Sequence, residues 1–233
     1  MTIQQYTDEI LKTYRLVTVL SQRNDCRTLR LRHKELNRDL VLHQLPKNID
    51  SYEKLCDLRC ENLPEIYDSV LLEDGQIVLE DFIEGVTVAQ SLETGTYSYG
   101  AAKKIMIGLC NALTILHERG IVHRDIKPEN VIIDRNGRVV LIDLNISRIE
   151  KETKKDTVIM GTVGYASPEQ LGIAQSDART DVYAAGVLLN VMLTGKHPSE
   201  TVAKGRAGRI VKKCTNITPG LRYQTAKKLA NSL

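Results

Sequence analysis

Eight consecutive residues, His123-Arg124-Asp125-Ile126-Lys127-Pro128-Glu129-Asn130, gather an acid, a base and an oxygen ligand on one polar stretch. Asp143 follows at the end of an apolar run. Asp125 can accept a proton from a hydroxyl, and Lys127, two residues on, can neutralise a phosphoryl group in transit. Asn130 and Asp143 offer hard oxygen ligands suited to Mg²⁺. The chemistry that uses such a set is transfer of a phosphoryl group to a hydroxyl.

These residues need a scaffold, and the apolar pattern supplies one in two parts. Up to about residue 82, short runs rich in β-branched residues alternate with polar turns, which predicts strands over 14–20, 28–32, 40–45, 66–72 and 77–82. One helix is expected among them, over 51–60, from Leu55 and Leu58. Beyond Gly85 the period lengthens. Ile105, Leu109, Leu113 and Leu116 predict a helix over 101–117, and a second is expected over 181–193 with Asp at its start. Short strands are expected at 121–122, 130–133 and 139–142, around the polar loops that carry the chemistry. The order is a mostly β first part, 1–82, and a mostly α second part, 83–233, with a crossover at 80–85.

The chain has 233 residues, 42% of them hydrophobic and 26% charged, enough for one sizeable core or two small ones. That composition excludes disordered, collagen-like and disulfide-scaffold classes. The 32 basic residues nearly balance 29 acidic ones, so the overall charge selects neither nucleic acid nor an anionic membrane. No apolar run reaches a membrane span, and the first residues lack a signal pattern. Five cysteines without CxxC pairs (Cys26, Cys56, Cys60, Cys110 and Cys214) read as reduced thiols, which gives a cytoplasmic expectation.

At His123–Asn130 and Asp143 the sequence resembles the eukaryotic-type serine/threonine protein kinase family, including its bacterial members. The resemblance continues through Gly161-Thr162-Val163-Gly164-Tyr165-Ala166-Ser167-Pro168-Glu169, which is similar to the segment ending in Ala-Pro-Glu, with Ser for Ala. Asp181-Val182-Tyr183-Ala184-Ala185-Gly186-Val187 resembles the start of the central large-lobe helix. Arg222 stands where the family pairs an arginine with the glutamate now at Glu169. The resemblance implies an α+β, bilobal fold using ATP and Mg²⁺ on a protein substrate. In it Asp125 orients the hydroxyl, Lys127 contacts the γ-phosphate, and Asn130 and Asp143 hold the metal. It also implies that His123 is structural, that Asp181 bonds the catalytic-loop backbone, and that the backbone of Asp81 and Ile83 meets the adenine edge. Lys127 with Thr162 matches the serine/threonine branch. Arg124 marks the subclass whose activation loop is ordered by a phosphate, for which Thr153 and Thr157, among Lys151, Lys154 and Lys155, are candidates.

The first part departs from that family where nucleotide is held. The three glycines of the phosphate-covering loop fall on Ser21, Arg23 and Cys26, whose side chains hold backbone away from phosphate. His43 replaces the lysine that anchors the α- and β-phosphates, and Val41 adds bulk beside the adenine position. Ser51 occupies the place of the lysine's glutamate partner, and Glu53 reads as solvated. Glu80 stands before the crossover, where an apolar residue is usual, and is able to pair with His43. Arg30 or Arg23 is a candidate substitute cation. Asp143-Leu144-Asn145 replaces Asp-Phe-Gly. The second part is shortened between Pro198 and Arg222, where the family has a helix that docks protein partners. Lys204–Lys213 reads as a solvated basic helix face ahead of a dock for an anion or acidic peptide, and Cys56 and Cys60 as buried thiols on one helix face ahead of zinc ligands.

Two functions follow. One is a weakened serine/threonine kinase that binds nucleotide through His43, Asp81, Ile83, Asn130 and Asp143. The other is a pseudokinase, a binding or regulatory module that keeps the fold. A small-molecule phosphotransferase is disfavoured by the 161–169 segment, which resembles a peptide platform.

Overall fold

The computed structural model describes residues 1–23, 26–46, 48–56, 58–145, 147–149, 162, 164–171 and 176–233. Thr153, Thr157 and the lysines beside them lie outside the described residues, as does the side chain of Arg23. The chain divides into two compact units. One comprises Met1–Cys60 with Pro64–Ile83, and the other Glu61–Leu63 with Glu84–Leu233.

The first unit opens with a helix that the strand-by-strand reading omits. In α1 (Ile3–Thr13) Thr2 and Gln5 form a reciprocal capping box that satisfies the first free backbone donors. Its residues Ile3, Tyr6, Ile10 and Leu11 pack on a sheet cluster of Leu29, Leu31, Leu42 and Ile77. Two polar bonds fix the docking: the Tyr6 hydroxyl donates to Asp68 at 2.9 Å, and Gln44 Nε2 donates to the buried Thr7 hydroxyl at 2.8 Å.

Strands β1 (Tyr14–Arg23), β2 (Cys26–His33) and β3 (Asp39–Leu45) follow, then α2 (Asp50–Glu53), β4 (Ile66–Leu72) and β5 (Gly75–Asp81). They form one antiparallel sheet in the order β1-β2-β3-β5-β4. The five expected strands are present. The helix expected over 51–60 is not: α2 stops at Glu53, and turns carry the chain through Cys56. Ile49, at its N-cap, has no side-chain oxygen to offer, and a helix that short has almost no propagation to offset nucleation. Cys56 and Cys60 therefore share no helix face, and Cys56 Sγ donates to the Tyr52 carbonyl instead.

The second unit is mostly helical. Strand β6 (Gly85–Thr87) and α3 (Val88–Leu92) lead into α4 (Tyr99–Glu118), whose buried stripe includes Ile105, Leu109, Leu113 and Leu116. Next come β7 (Ile121–Val122), β8 (Val131–Asp134), β9 (Val139–Leu141) and β10 (Arg148–Ile149). β8 lies between β6 and β9, and β7 pairs with β10. Helix α5 (Ala178–Thr194) starts at an Asp177–Thr180 capping box and ends on Gly195, whose φ of 69° suits a residue without Cβ. α5 packs against α6 (Gly205–Cys214) so closely that a Cβ on Gly186 would lie 2.2 Å from Cys214 Cβ. α7 (Ala226–Ala230) rests on α4. Segment 195–204 joins α5 directly to α6, in the stretch read as shortened. Fully buried Asn190 organises it, donating to the Lys196 and Thr201 carbonyls and accepting from Ala203 N–H.

Candidate active site

The polar loop between β7 and β8 is held from beneath by one buried carboxylate. Asp181, in the first turn of α5, accepts the backbone N–H of His123 at 2.9 Å and of Arg124 at 2.8 Å. His117, from the last turn of α4, meets the same carboxylate at 2.8 Å. Burial pushes the Asp181 carboxyl up, but the bonds from His117 and the Arg124 backbone outweigh it and hold the group below the ordinary range. His123 is fully buried; its Nδ1 accepts from Asp125 N–H and its Nε2 meets the Ile142 carbonyl. Those partners fit a neutral ring protonated at Nε2, a structural role.

Above this base the reactive groups close on Asp125. Lys127 Nζ donates to Asp125 Oδ2 at 2.5 Å and to the Thr162 hydroxyl at 3.0 Å. That hydroxyl in turn donates to Asp125 Oδ1 at 2.8 Å. Asn130 Nδ2 donates to the Asp125 carbonyl at 2.9 Å and to Oδ2 at 3.0 Å. Burial raises the Asp125 carboxyl, but the bonds from Lys127 and Thr162, with the lysine charge, bring it below its usual value. It stays ionised and is a weak base, suited to orienting a hydroxyl and taking its proton late in a transfer.

With Asn130 Nδ2 committed to Asp125, the amide oxygen faces away as an acceptor. Asn130 immediately precedes β8, its carbonyl accepts from Ile142 N–H at 2.9 Å, and Val131 pairs with Leu141, so Asp143 emerges beside it. One Asp143 oxygen accepts from Asn145 N–H at 3.1 Å. An amide oxygen and a carboxylate, both hard, thus sit on adjacent chain segments, and that donor set fits Mg²⁺. Arg124 and Asp143 both have positive φ, 72° and 70°, which is costly for residues with side chains and is concentrated at this loop pair.

The platform after Thr162 is anchored by an ion pair. Buried Arg222 donates to both Glu169 oxygens, at 2.6 and 2.9 Å, as the sequence pattern implies. Gln170 Nε2 reaches the Arg124 carbonyl at 2.8 Å and ties this segment to the loop. Sequence reasoning passed over Gln170 and His117. The signal for His117 was its place one turn after Leu113, continuing the apolar stripe of α4 with a polar ring, whereas nothing local marked Gln170.

In the first unit, His43 is buried with both ring nitrogens engaged. Nε2 meets Glu80 at 2.9 Å and Nδ1 meets the Thr28 hydroxyl at 3.2 Å. The strand register explains this: His43 lies opposite Thr28 and diagonally, two register positions along, from Glu80 on the same sheet face. Ser51 is buried and Glu53 exposed. Arg30 is held by Asp39, with Arg32 on the same carboxylate, and stacks 4.0 Å from the Phe82 ring centroid. The β1–β2 ladder runs through Ser21↔Thr28 to Arg23↔Cys26, so the positions read as lost glycines are paired strand. Asp81 ends β5, its carboxylate bonded by Tyr67 at 2.6 Å and Arg38 at 2.9 Å, and Ile83 is buried.

Comparison with known proteins identifies the family. The protein kinase domain model matches residues 26–232. A probable serine/threonine-protein kinase of Corynebacterium efficiens is 45% identical over 112 residues, 46% of this chain and 17% of that protein. Serine/threonine-protein kinase PknB of Mycolicibacterium smegmatis is 36% identical over 126 residues, 52% of this chain and 20% of its own. A probable serine/threonine-protein kinase of Clostridium perfringens is 29% identical over 205 residues, 77% of this chain and 30% of its own. The chain thus spans between about a sixth and a third of the length of these curated relatives. With the family model covering nearly its whole length and a β-sheet unit followed by a helical one, this chain belongs to the protein kinase domain family.

Proposed function

We infer that the chain is an ATP-dependent protein kinase that passes the γ-phosphoryl group to a serine or threonine hydroxyl, with reduced efficiency. The observation that carries this reading is the closed set Asp125–Lys127–Thr162–Asn130. ATP would supply the phosphoryl group, and Mg²⁺ would neutralise its charge, held by Asn130 and Asp143. Asp125 orients the acceptor hydroxyl and takes its proton; Lys127 supplies positive charge beside it; Thr162 fixes both. A threonine that bridges base and lysine suits the serine/threonine class. The two parts, 1–82 and 83–233, act as small and large lobes with a crossover at 80–85, where Asp81 and Ile83 present backbone to adenine. ATP and reduced thiols are both supplied by the cytoplasm, where the reading places the chain.

The small unit supports the qualifier. With both His43 nitrogens bound to sheet neighbours and Arg30 bound to Asp39, neither is left to hold phosphate as a lysine would. This also favours the second reading, a pseudokinase that keeps the fold to bind a protein partner. Incubation with γ-labelled ATP, Mg²⁺ and casein, followed by phosphoamino-acid separation, decides between them. Label on serine or threonine supports the kinase; no label together with no Mg²⁺-dependent ATP binding at millimolar nucleotide overturns it.

A further inference from the structure

The near balance of charge in the whole chain conceals a segregation. Residues 201–233 contain eight of the 32 basic residues and none of the 29 acidic ones. Arg222 is consumed by Glu169, but the other seven point outward. On α6, Arg206, Arg209 and Lys213 recur at helical spacing beside Lys212, opposite the buried Ala207, Ile210, Val211 and Cys214. On α7, Lys227 and Lys228 are exposed while Ala226 and Leu229 are buried. Among the described residues none of these cations forms an ion pair.

These elements are one continuous surface segment. Arg206 donates through Nε and Nη2 to the Ser232 carbonyl, both at 3.1 Å, joining the start of α6 to the end of the α7 region. Lys213 lies 4.4 Å above the Tyr223 ring, joining the other end of α6 to the entry of α7. Between them the turn 215–225 is held compact by Gln224 on the Pro219 and Gly220 carbonyls. From that turn two aliphatic side chains stand out, Ile217 at 78% and Leu221 at 62% exposure, among the most solvent-exposed large apolar residues described.

We propose that the α6–turn–α7 segment is a docking surface for an anionic phospholipid membrane, with the cations on headgroups and Ile217 and Leu221 inserted at the acyl boundary. Uniform positive charge meets a uniformly negative sheet of headgroups, and protruding aliphatic residues gain only where the partner has an apolar layer beneath its charge. A nucleic acid would call instead for exposed aromatic rings on which to stack bases, and the ring here, Tyr223, is covered by Lys213. The surface lies within the second unit and stands whether or not the chain transfers phosphate.

The test is co-sedimentation of the chain with vesicles of phosphatidylcholine alone or with about one-third phosphatidylserine. Binding to the anionic vesicles, absent on neutral ones and lost in high salt, supports the proposal. Each cation near such a surface contributes about fivefold in partitioning, so Arg209→Glu with Lys212→Glu lowers it by at least about twentyfold. Ile217→Ser with Leu221→Ser weakens vesicle binding and leaves binding to a single-stranded oligonucleotide unchanged. All four substitutions are at exposed positions, and matching circular dichroism certifies the fold. No partitioning onto anionic vesicles at low salt overturns the proposal. So does vesicle binding indifferent to either pair of substitutions, or an oligonucleotide that competes the chain off vesicles with the aliphatic pair playing no part.

Discussion

Replacing Arg222 with methionine keeps the side chain's approximate volume and removes all five of its hydrogen bonds at once. Two go to Glu169, and the others reach the carbonyls of Asn216 at 2.7 Å, Arg179 at 3.0 Å and Ile217 at 3.2 Å. The Arg222 side chain is 0% and the Glu169 side chain 5% exposed, so the variant strands a buried carboxylate with no opposite charge and with neutral partners such as the Thr180 hydroxyl, at 3.1 Å, in its place. Removing one member of a buried pair costs about 3–5 kcal/mol. The Asn216 and Ile217 carbonyls belong to a surface turn and regain water, so we expect a total near the middle of that range, about 4 kcal/mol. Glu169→Gln keeps one oxygen to accept from Arg222, but its amide nitrogen cannot accept the second bond and the buried guanidinium loses its counter-charge, so it too costs on the order of 3 kcal/mol. The acid dependence sets this apart from a packing defect. Burial raises the Glu169 carboxyl, but the Arg222 bond and charge outweigh it and hold the group below its ordinary value. Its contribution is therefore present above its unfolded pKa and lost as pH falls through the lower folded one. Without Arg222 the charge and the largest lowering bond are gone and weaker neutral bonds alone oppose burial, so the folded value rises and the penalty of Arg222→Met shrinks as pH falls towards 4. Urea unfolding followed by circular dichroism and tyrosine fluorescence, the chain having no tryptophan, measures this at pH 7 and pH 4.5. A cost below about 1 kcal/mol at pH 7, or one independent of pH, would refute the argument.

Three further outcomes follow from the same structure. His43→Ala changes Mg·ATP affinity by less than about threefold in calorimetry, because both ring nitrogens are already spent; a loss of tenfold or more would mean that the ring leaves Glu80 to bind phosphate. Asp39, held at about 2 chiefly by the Arg32 hydrogen bond, contributes stability that is complete above its unfolded pKa near 3.9 and disappears between there and pH 2. Asp39→Asn should remove that part of the acid transition, and an unchanged acid titration would contradict the assignment. Gly186→Ala forces a methyl 2.2 Å from Cys214 Cβ, so α5 and α6 must separate at a cost of about 1–3 kcal/mol, read as a lowered urea midpoint; pairing it with Cys214→Ala leaves the clash in place.

What the sequence made legible was local. The 123–130 loop could be read because its chemistry-bearing residue types lie within a few positions of one another, and Asp143 because it ends the next apolar run. The strands up to residue 82 could be read because each is a short run rich in β-branched and other apolar residues bounded by polar turns. Glu80 with His43 was within reach once the strand register was assumed, since it places them diagonally on one face. α1 was passed over although Thr2 with Gln5 and the spacing of Ile3, Tyr6, Ile10 and Leu11 signal it. Its apolar stripe is thin, and its stability comes from Leu29, Leu31, Leu42 and Ile77, which no window around residues 3–13 contains. The opposite error at 51–60 has the same origin: Leu55 is buried by the unit's core, and Leu58 partly so, whether or not the backbone between them is helical. The segregation of charge into 201–233 was diluted in the whole-chain sum, and only the outward display on α6 and α7 gives it meaning.

The central claim is that Asp125, held by Lys127, Thr162 and Asn130, orients a hydroxyl for phosphoryl transfer. The most direct measurement is transfer from γ-labelled ATP with Mg²⁺ to a serine-containing protein, comparing the chain with Asp125→Asn at matched fold and nucleotide affinity. The account predicts transfer by the chain and a loss of about 10²–10⁴-fold in the variant, with Mg²⁺-dependent ATP binding retained. Equal transfer by both, or none by either with ATP bound, would contradict it.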